Sequence, residues 1–184
     1  MDRKSLPILL IAWIFVIYEY AVRVSDSVIL PSLSVHLSLS AAQLSGLSSA
    51  YYISYVLFMI PAGILIDRYG LHRTWLIAIS LLILGCVLFA WAPSLTVLII
   101  ARILMGLGSN FAVIGTLALS IGFKRKGLLI GLTMAFCMFG AFLGQGPWLF
   151  ITNILGHWQL TYWLAAAIGC ILLIVWAIIG KKVD

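Results

Sequence analysis

Glu19, Arg23, Asp26 and Arg102 are ionisable side chains set inside long apolar runs. Near the centre of a bilayer each costs at least about 2.5–3.5 kcal/mol if unpaired, so such groups must face protein or a water-filled cavity. Glu19, Arg23 and Asp26 follow i, i+4, i+7 spacing, which on one helix makes a single stripe. The four charges cancel when all are ionised. The chemistry within reach of this set is proton uptake and anion binding. Glu19 or Asp26 can take a proton, Arg102 can set how readily it does so, and Arg23 can attract an anionic group. A static ion network holding two helices together accommodates the same residues.

Such residues need spanning helices to position them. Of 184 residues, 64% are hydrophobic and 9% charged, with a mean hydropathy of +1.20. Ordinary soluble domains are about 45–50% apolar and about 25% charged. No soluble domain of this length has the interior to hide so much apolar surface, which excludes a soluble enzyme, a disordered tail and a disulfide-rich secreted module. The fold expected is an all-α membrane protein with roughly six transmembrane helices, at about 20 apolar residues per crossing. The first span reads from about Leu6 to Leu30, stopped by Pro31. The second covers about Gln43 to Ile66, and the third Thr74 to Trp91, closed by Pro93. The fourth covers about Leu95 to Ile121, the fifth Leu128 to Leu155 with Gly146–Pro147 inside it, and the sixth Thr161 to Ile179. Glu19 falls near the middle of the first span, with Arg23 and Asp26 progressively outward and Arg102 at a similar depth on the fourth. On the fourth span Arg102, Gly106, Ser109, Val113, Thr116 and Ser120 share a small, polar face; the second offers Ser48, Tyr51, Tyr52 and Tyr55, and the fifth Gln145.

The basic residues set an orientation. Arg3 and Lys4, Arg68 and Arg73, Lys124 to Lys126, and Lys181 and Lys182 all fall on one side of the spans. The opposite loops, Ser32 to Ala42, Ala92 to Ser94 and Gly156 to Leu160, hold no Lys or Arg, so both termini are expected in the cytoplasm of a bacterial inner-membrane protein. The net charge of +6 therefore reports topology, not a nucleic-acid partner. Residues 1–93 and 94–184 read as two three-helix repeats of one six-span domain. Pro61 is followed by Asp67 and Gly70, and Pro147 by Asn153 and Gly156 at the same spacings, on opposite sides of the membrane. Such a 3+3 inverted repeat is a signature of secondary transporters. The N-terminus reads as an uncleaved first span. Cys86, Cys137 and Cys170 read as buried small hydrophobes with no metal or disulfide spacing, and His36, His72 and His157 as loop residues. Nothing calls for a cofactor or a metal.

Gly63, Leu65, Asp67, Arg68 and Gly70 stand at the spacing of Gly-x-Leu-x-Asp-Arg-x-Gly, with Leu71 and His72 in place of an expected basic residue and Arg73 close behind. This stretch resembles the loop 2–3 signature of the major facilitator superfamily. Physically, Gly63 admits a close helix neighbour, Asp67 can pair with a neighbouring Arg at a helix terminus, and Gly70 permits a tight turn. Arg102, Gly106 and Gly108 resemble the family's Arg-x-x-x-Gly-x-Gly in the fourth span. Gly131, Gly140 and Gly144 resemble the opening of its antiporter signature, but Gln145 stands where proline is wanted. That departure favours symport. The resemblance covers the whole chain but only the N-terminal half of a twelve-span fold. It implies that spans one, two, four and five line a central cavity, that spans three and six support them, and that Gly63 to Arg73 act as a conformational gate.

The resemblance implies a secondary active transporter, or its N-terminal half, moving a small polar or anionic metabolite by alternating access in proton-coupled symport. Its partners would be the lipid bilayer, a small-molecule substrate, a proton, and a C-terminal six-helix half or a second copy of the chain. Absence of a Gly-x-x-x-x-Gly-Lys-[Ser/Thr] loop disfavours a primary pump. Two other readings remain: a truncated, non-transporting fragment that needs a second half, and a six-span intramembrane serine protease using Ser48, which lacks a histidine inside a span.

Overall fold

A computed structural model describes residues 6–182; Arg3, Lys4 and the terminal Val183–Asp184 lie outside the described residues. The chain forms α1 (Leu6–Val24), α2 (Asp26–Leu37), α3 (Ala41–Tyr69), α4 (Leu71–Trp91), α5 (Leu95–Ile121), α6 (Lys126–Leu143), α7 (Gly146–Leu155) and α8 (Trp158–Ile179), then one 3-10 turn (Gly180–Lys182). No strand occurs among the described residues. Together α1–α2 and α6–α7 make two spans and the other helices one each, giving six helical segments long and apolar enough to cross a membrane. The six-span all-α architecture expected from composition is the one observed.

The ends and interruptions differ from expectation. Pro31 does not stop the first span: it sits inside α2, and helix continues to Leu37. Pro61 likewise sits inside an unbroken α3. Spanning helices tolerate proline because neighbours re-satisfy the freed backbone groups. Pro147 does interrupt. It has no N–H to donate to the Leu143 carbonyl, and its fixed φ suits the first turn of a new helix. The chain leaves α6 through Gly144 and Gln145 and restarts as α7. α3 starts two residues before Gln43 because Ser40 and Gln43 form a reciprocal capping box. His36 lies on α2 and His72 in the first turn of α4, so neither is the loop residue expected; His157 is the exposed N-cap position of α8.

α5 is the central helix, and glycines seat its neighbours. A Cβ at Gly106 would run into the backbone of Tyr51, one at Gly108 into Ala78, and one at Gly85 on α4 into Ala101. Gly140 and Gly144 seat α6 on Ile17 and Ala21 of α1 in the same way, whereas Gly131 faces open space. Between spanning helices such close approach is a main source of association, since lipid is as apolar as the side chains. α4 and α8 carry an aromatic seam: Trp75 and Trp176 lie 4.5 Å apart, and Phe89 and Tyr162 stack at 4.3 Å. The second and fifth spans are the least enclosed, with Val56, Leu57 and Ile60 exposed on α3 and Met138, Phe142 and Phe150 on α6–α7. Cys86 and Cys137 are buried, but Cys170 is exposed on α8, contrary to expectation.

Candidate functional site

The site begins with the interruption of the first span. In a continuous helix the carbonyls of Val22, Arg23 and Val24 would accept from amides four residues on. Here side chains take all three. The Ser25 hydroxyl donates to Val22 O at 2.9 Å and the Ser27 hydroxyl to Val24 O at 2.7 Å. From α5, Arg102 donates through Nη1 to Val22 O at 3.4 Å and through Nη2 to Arg23 O at 3.0 Å. The same Nη2 lies 2.9 Å from Asp26 Oδ2, and the guanidinium carbon stands 4.6 Å from the centre of the Tyr51 ring. Arg102 therefore caps the end of α1 and pairs with the first residue of α2. Asp26 also accepts from the Ser48 hydroxyl of α3 at 2.8 Å. The Arg102 side chain is 0% exposed and that of Asp26 is 6%.

One turn toward the basic end of α1, the second pair is arranged otherwise. Arg23 Nη2 lies 2.6 Å from Glu19 Oε1, and Arg23 Nε donates to the same oxygen at 2.8 Å. The Tyr51 hydroxyl also donates to Glu19 Oε1 at 2.8 Å and lies 2.5 Å from the Ser109 hydroxyl. Glu19 is fully buried, and its other oxygen, Oε2, has no hydrogen-bond partner among the described residues. Arg23 is held between two aromatic faces, 4.2 Å from the Tyr20 ring centre and 4.3 Å from that of Tyr55. Its side chain is 11% exposed. Of the four charged side chains it is the most open.

Thus Glu19, Arg23, Asp26, Arg102, Tyr51 and Tyr55 come together on α1, α2, α3 and α5. Because the first span runs on to Leu37, Arg23 rather than Glu19 lies nearest its midpoint. Gln145 is exposed in the α6–α7 interruption, beside Gly144 where it meets Ala21, and its side chain makes no hydrogen bond to the cluster among the described residues. Of the polar face on α5, Ser109 joins the cluster, whereas Thr116 and Ser120 are buried and donate to carbonyls of their own helix. Ser48 is engaged by Asp26 rather than by a histidine. Tyr20 is an additional member; its i, i+3 spacing to Arg23 is the signal that places it on that face.

The loop motif lies apart, at the basic end. Gly70 has φ of +79° and makes the turn between α3 and α4, as expected. Asp67, Arg68 and Arg73 are exposed, and Asp67 makes no ion pair among the described residues, contrary to the expected pairing. Among the described residues nothing from another helix lies within 4 Å of a Cβ built on Gly63, so the close neighbour expected there is not one of the described helices.

With this geometry in hand, the comparisons with known proteins decide the family. The model of the Major Facilitator Superfamily matches residues 10–183. The chain belongs to that superfamily. It is 26% identical over 183 residues to a hexuronate transporter of Bacillus subtilis, covering 95% of this chain and 42% of the relative. It is 30% identical over 148 residues to the multidrug resistance protein Stp of Mycobacterium tuberculosis, covering 78% of this chain and 28% of that one. Over 99 residues it is 31% identical to the D-xylose-proton symporter-like 3 of Arabidopsis thaliana, covering 52% of this chain and 18% of the relative. The chain spans less than half the length of each of these superfamily members. Six apolar spans and membership of the superfamily make it a multi-pass membrane protein.

Proposed function

We propose that the chain is the N-terminal six-helix half of a secondary active transporter, built as a 3+3 inverted repeat with both ends in the cytoplasm of a bacterial inner membrane. It works with a second six-helix half, or with a second copy of itself, and moves a small anionic metabolite together with a proton. The observation that carries this reading is the Glu19–Arg23 pair. Arg23 Nε and the Tyr51 hydroxyl donate to Glu19 Oε1, with Arg23 Nη2 in ion-pair contact, while buried Oε2 accepts from none of the described residues, which leaves a lone pair for a proton. Arg23, the most exposed charge of the set, is the group to meet a substrate carboxylate. Glu19 and a substrate anion then compete for one guanidinium. Binding the anion frees Glu19 to be protonated, and the two events become coupled. The similarity to a hexuronate transporter supports a carboxylate-bearing solute, and that to a xylose-proton symporter-like protein supports the proton.

The test is uptake into liposomes by the chain, alone and co-reconstituted with a six-helix C-terminal half, across a panel of hexuronates, other organic acids and neutral sugars. We expect an acid to be accumulated when a pH gradient is imposed, and Glu19→Gln to abolish the accumulation while leaving gradient-independent exchange. Accumulation unchanged in Glu19→Gln removes Glu19 from the coupling. Preference for neutral sugars removes Arg23 from substrate recognition. Uptake by neither preparation favours the alternative of a non-transporting fragment.

A further inference from the structure

Away from the charged cluster, on the other side of α1, the helices leave an apolar cavity of about 300 Å³ between α1, α7 and α8. Its cause is local. Gly140 and Gly144 pull α6 onto α1, and the chain then breaks and restarts at Pro147, so that α7 leaves a wedge behind it. Leu143, Pro147 and Ile151 form one wall, Ile14 and Ala21 the second, Leu164 and Ile168 the third. Ile14 to Ala21 and, antiparallel to it, Ile168 to Thr161 each extend about 10 Å at 1.5 Å per residue. The volume lies at the lower end of ligand sites, which run from about 300 to about 1,000 Å³.

The chemistry of the walls selects the occupant. Two lining residues carry hydroxyls, and both are already committed to backbone carbonyls: Tyr18 donates to Ala165 O at 3.1 Å and Thr161 to Trp158 O at 2.6 Å. The remaining polar group on the walls is the indole Nε1 of Trp148, buried with no hydrogen-bond partner among the described residues; one such donor in an otherwise apolar lining does not make a site for a polar solute. The cavity lies at membrane depth, and Ile14, Leu164 and Ile168 on its rim are exposed. Its mouth therefore opens on hydrocarbon. We propose that this wedge is a binding site for one acyl chain of a membrane lipid, which enters from the bilayer and props α7 away from α1 and α8. The site is distinct from the anion and proton site and does not depend on the transport reading.

The experiment is photocrosslinking of the protein in vesicles of a phosphatidylcholine that carries a diazirine along its acyl chain, with labelled residues mapped by mass spectrometry. Leu160 and Ile171 are exposed on α8, outside the lining residues, and bracket the cavity in depth. We expect Ile151, Leu164 and Ile168 to be labelled several-fold more than Leu160 and Ile171. Leu164→Trp at the exposed rim and Ala165→Leu within should each bring Ile151 and Ile168 down to the bracketing level. Ile174, exposed further along α8, should be labelled equally in all three proteins and reports that the fold is intact. Even labelling along α8, or cavity labelling that survives both substitutions, means ordinary surrounding lipid and overturns the site. Labelling of the bracketing residues with none in the cavity means protein covers it, which also overturns the proposal.

Discussion

Arg102 and Arg23 each pair with a carboxylate of the first span, but their surroundings oppose each other. Arg102 is enclosed, spends its two terminal nitrogens on two carbonyls and Asp26, and lies over the Tyr51 ring. Asp26 is in turn fixed by Ser48. Arg23 is partly open, lies between the rings of Tyr20 and Tyr55, and pairs with a carboxylate that keeps one oxygen unpartnered. The same ion-pair chemistry therefore serves two ends. One pair completes a helix end and is enclosed, with Arg102 Nε its one unpartnered donor among the described residues; the other leaves an acceptor, Glu19 Oε2, unpartnered and Arg23 partly open. Under the proposed function, coupling is assigned to the Glu19–Arg23 pair and the static role to the Asp26–Arg102 pair.

The contrast is broken most forcefully at Arg102. Arg102→Ala strands Asp26 as a buried charge and uncaps α1, and should cost about 3–5 kcal/mol. Thermal unfolding in detergent, followed by loss of helical circular dichroism, should register a large fall. Arg23→Ala should register a clearly smaller one, because Arg23 is partly open and Glu19 can be neutralised by a proton. Equal losses would erase the distinction.

A second comparison lies in the glycines that hold α1. Gly144→Val drives a side chain into the backbone of Ala21 and should cost about 1–3 kcal/mol in the same assay. Gly63→Ala meets nothing within 4 Å in this chain and should stay within about 0.5 kcal/mol. A large effect of Gly63→Ala on the isolated chain would mean that a second copy packs there.

Tyr51 bridges the two pairs, and its hydroxyl is the finer probe. Tyr51→Phe keeps the ring under Arg102 and removes the bonds to Glu19, Ser109 and Arg23. Interhelical hydrogen bonds in membranes are worth about 1–2 kcal/mol at most, so the stability loss should be small. Uptake should change in its pH dependence rather than vanish. A stability loss rivalling Arg102→Ala would make Tyr51 part of the staple.

The charged stripe was legible because a carboxylate or guanidinium inside an apolar run has few places to go, and i, i+4 spacing says which face it takes. The six spans were legible for the same reason of apolar length. The interruption at Ser25 was not. It is made by Arg102, far away in sequence, taking carbonyls that local helix would use. Pro31 misled because proline is read locally, while its tolerance in α2 is set by neighbours. Gln145 reads as a site residue because it is polar in an apolar span; what the sequence did not show is that it sits exposed in a helix break after Leu143. The capping box at Ser40 and Gln43 was present in the sequence and marks the true start of α3.

Under the proposed function Glu19 is the carboxylate that gains and loses a proton, with Asp26, held by Arg102 and Ser48, as its comparison. Infrared difference spectroscopy across a pH titration of the reconstituted protein measures this directly and needs no substrate. A protonated-carboxyl band should rise and fall with pH, disappear in Glu19→Gln and persist in Asp26→Asn. A band that persists in Glu19→Gln and is lost in Asp26→Asn would contradict the account.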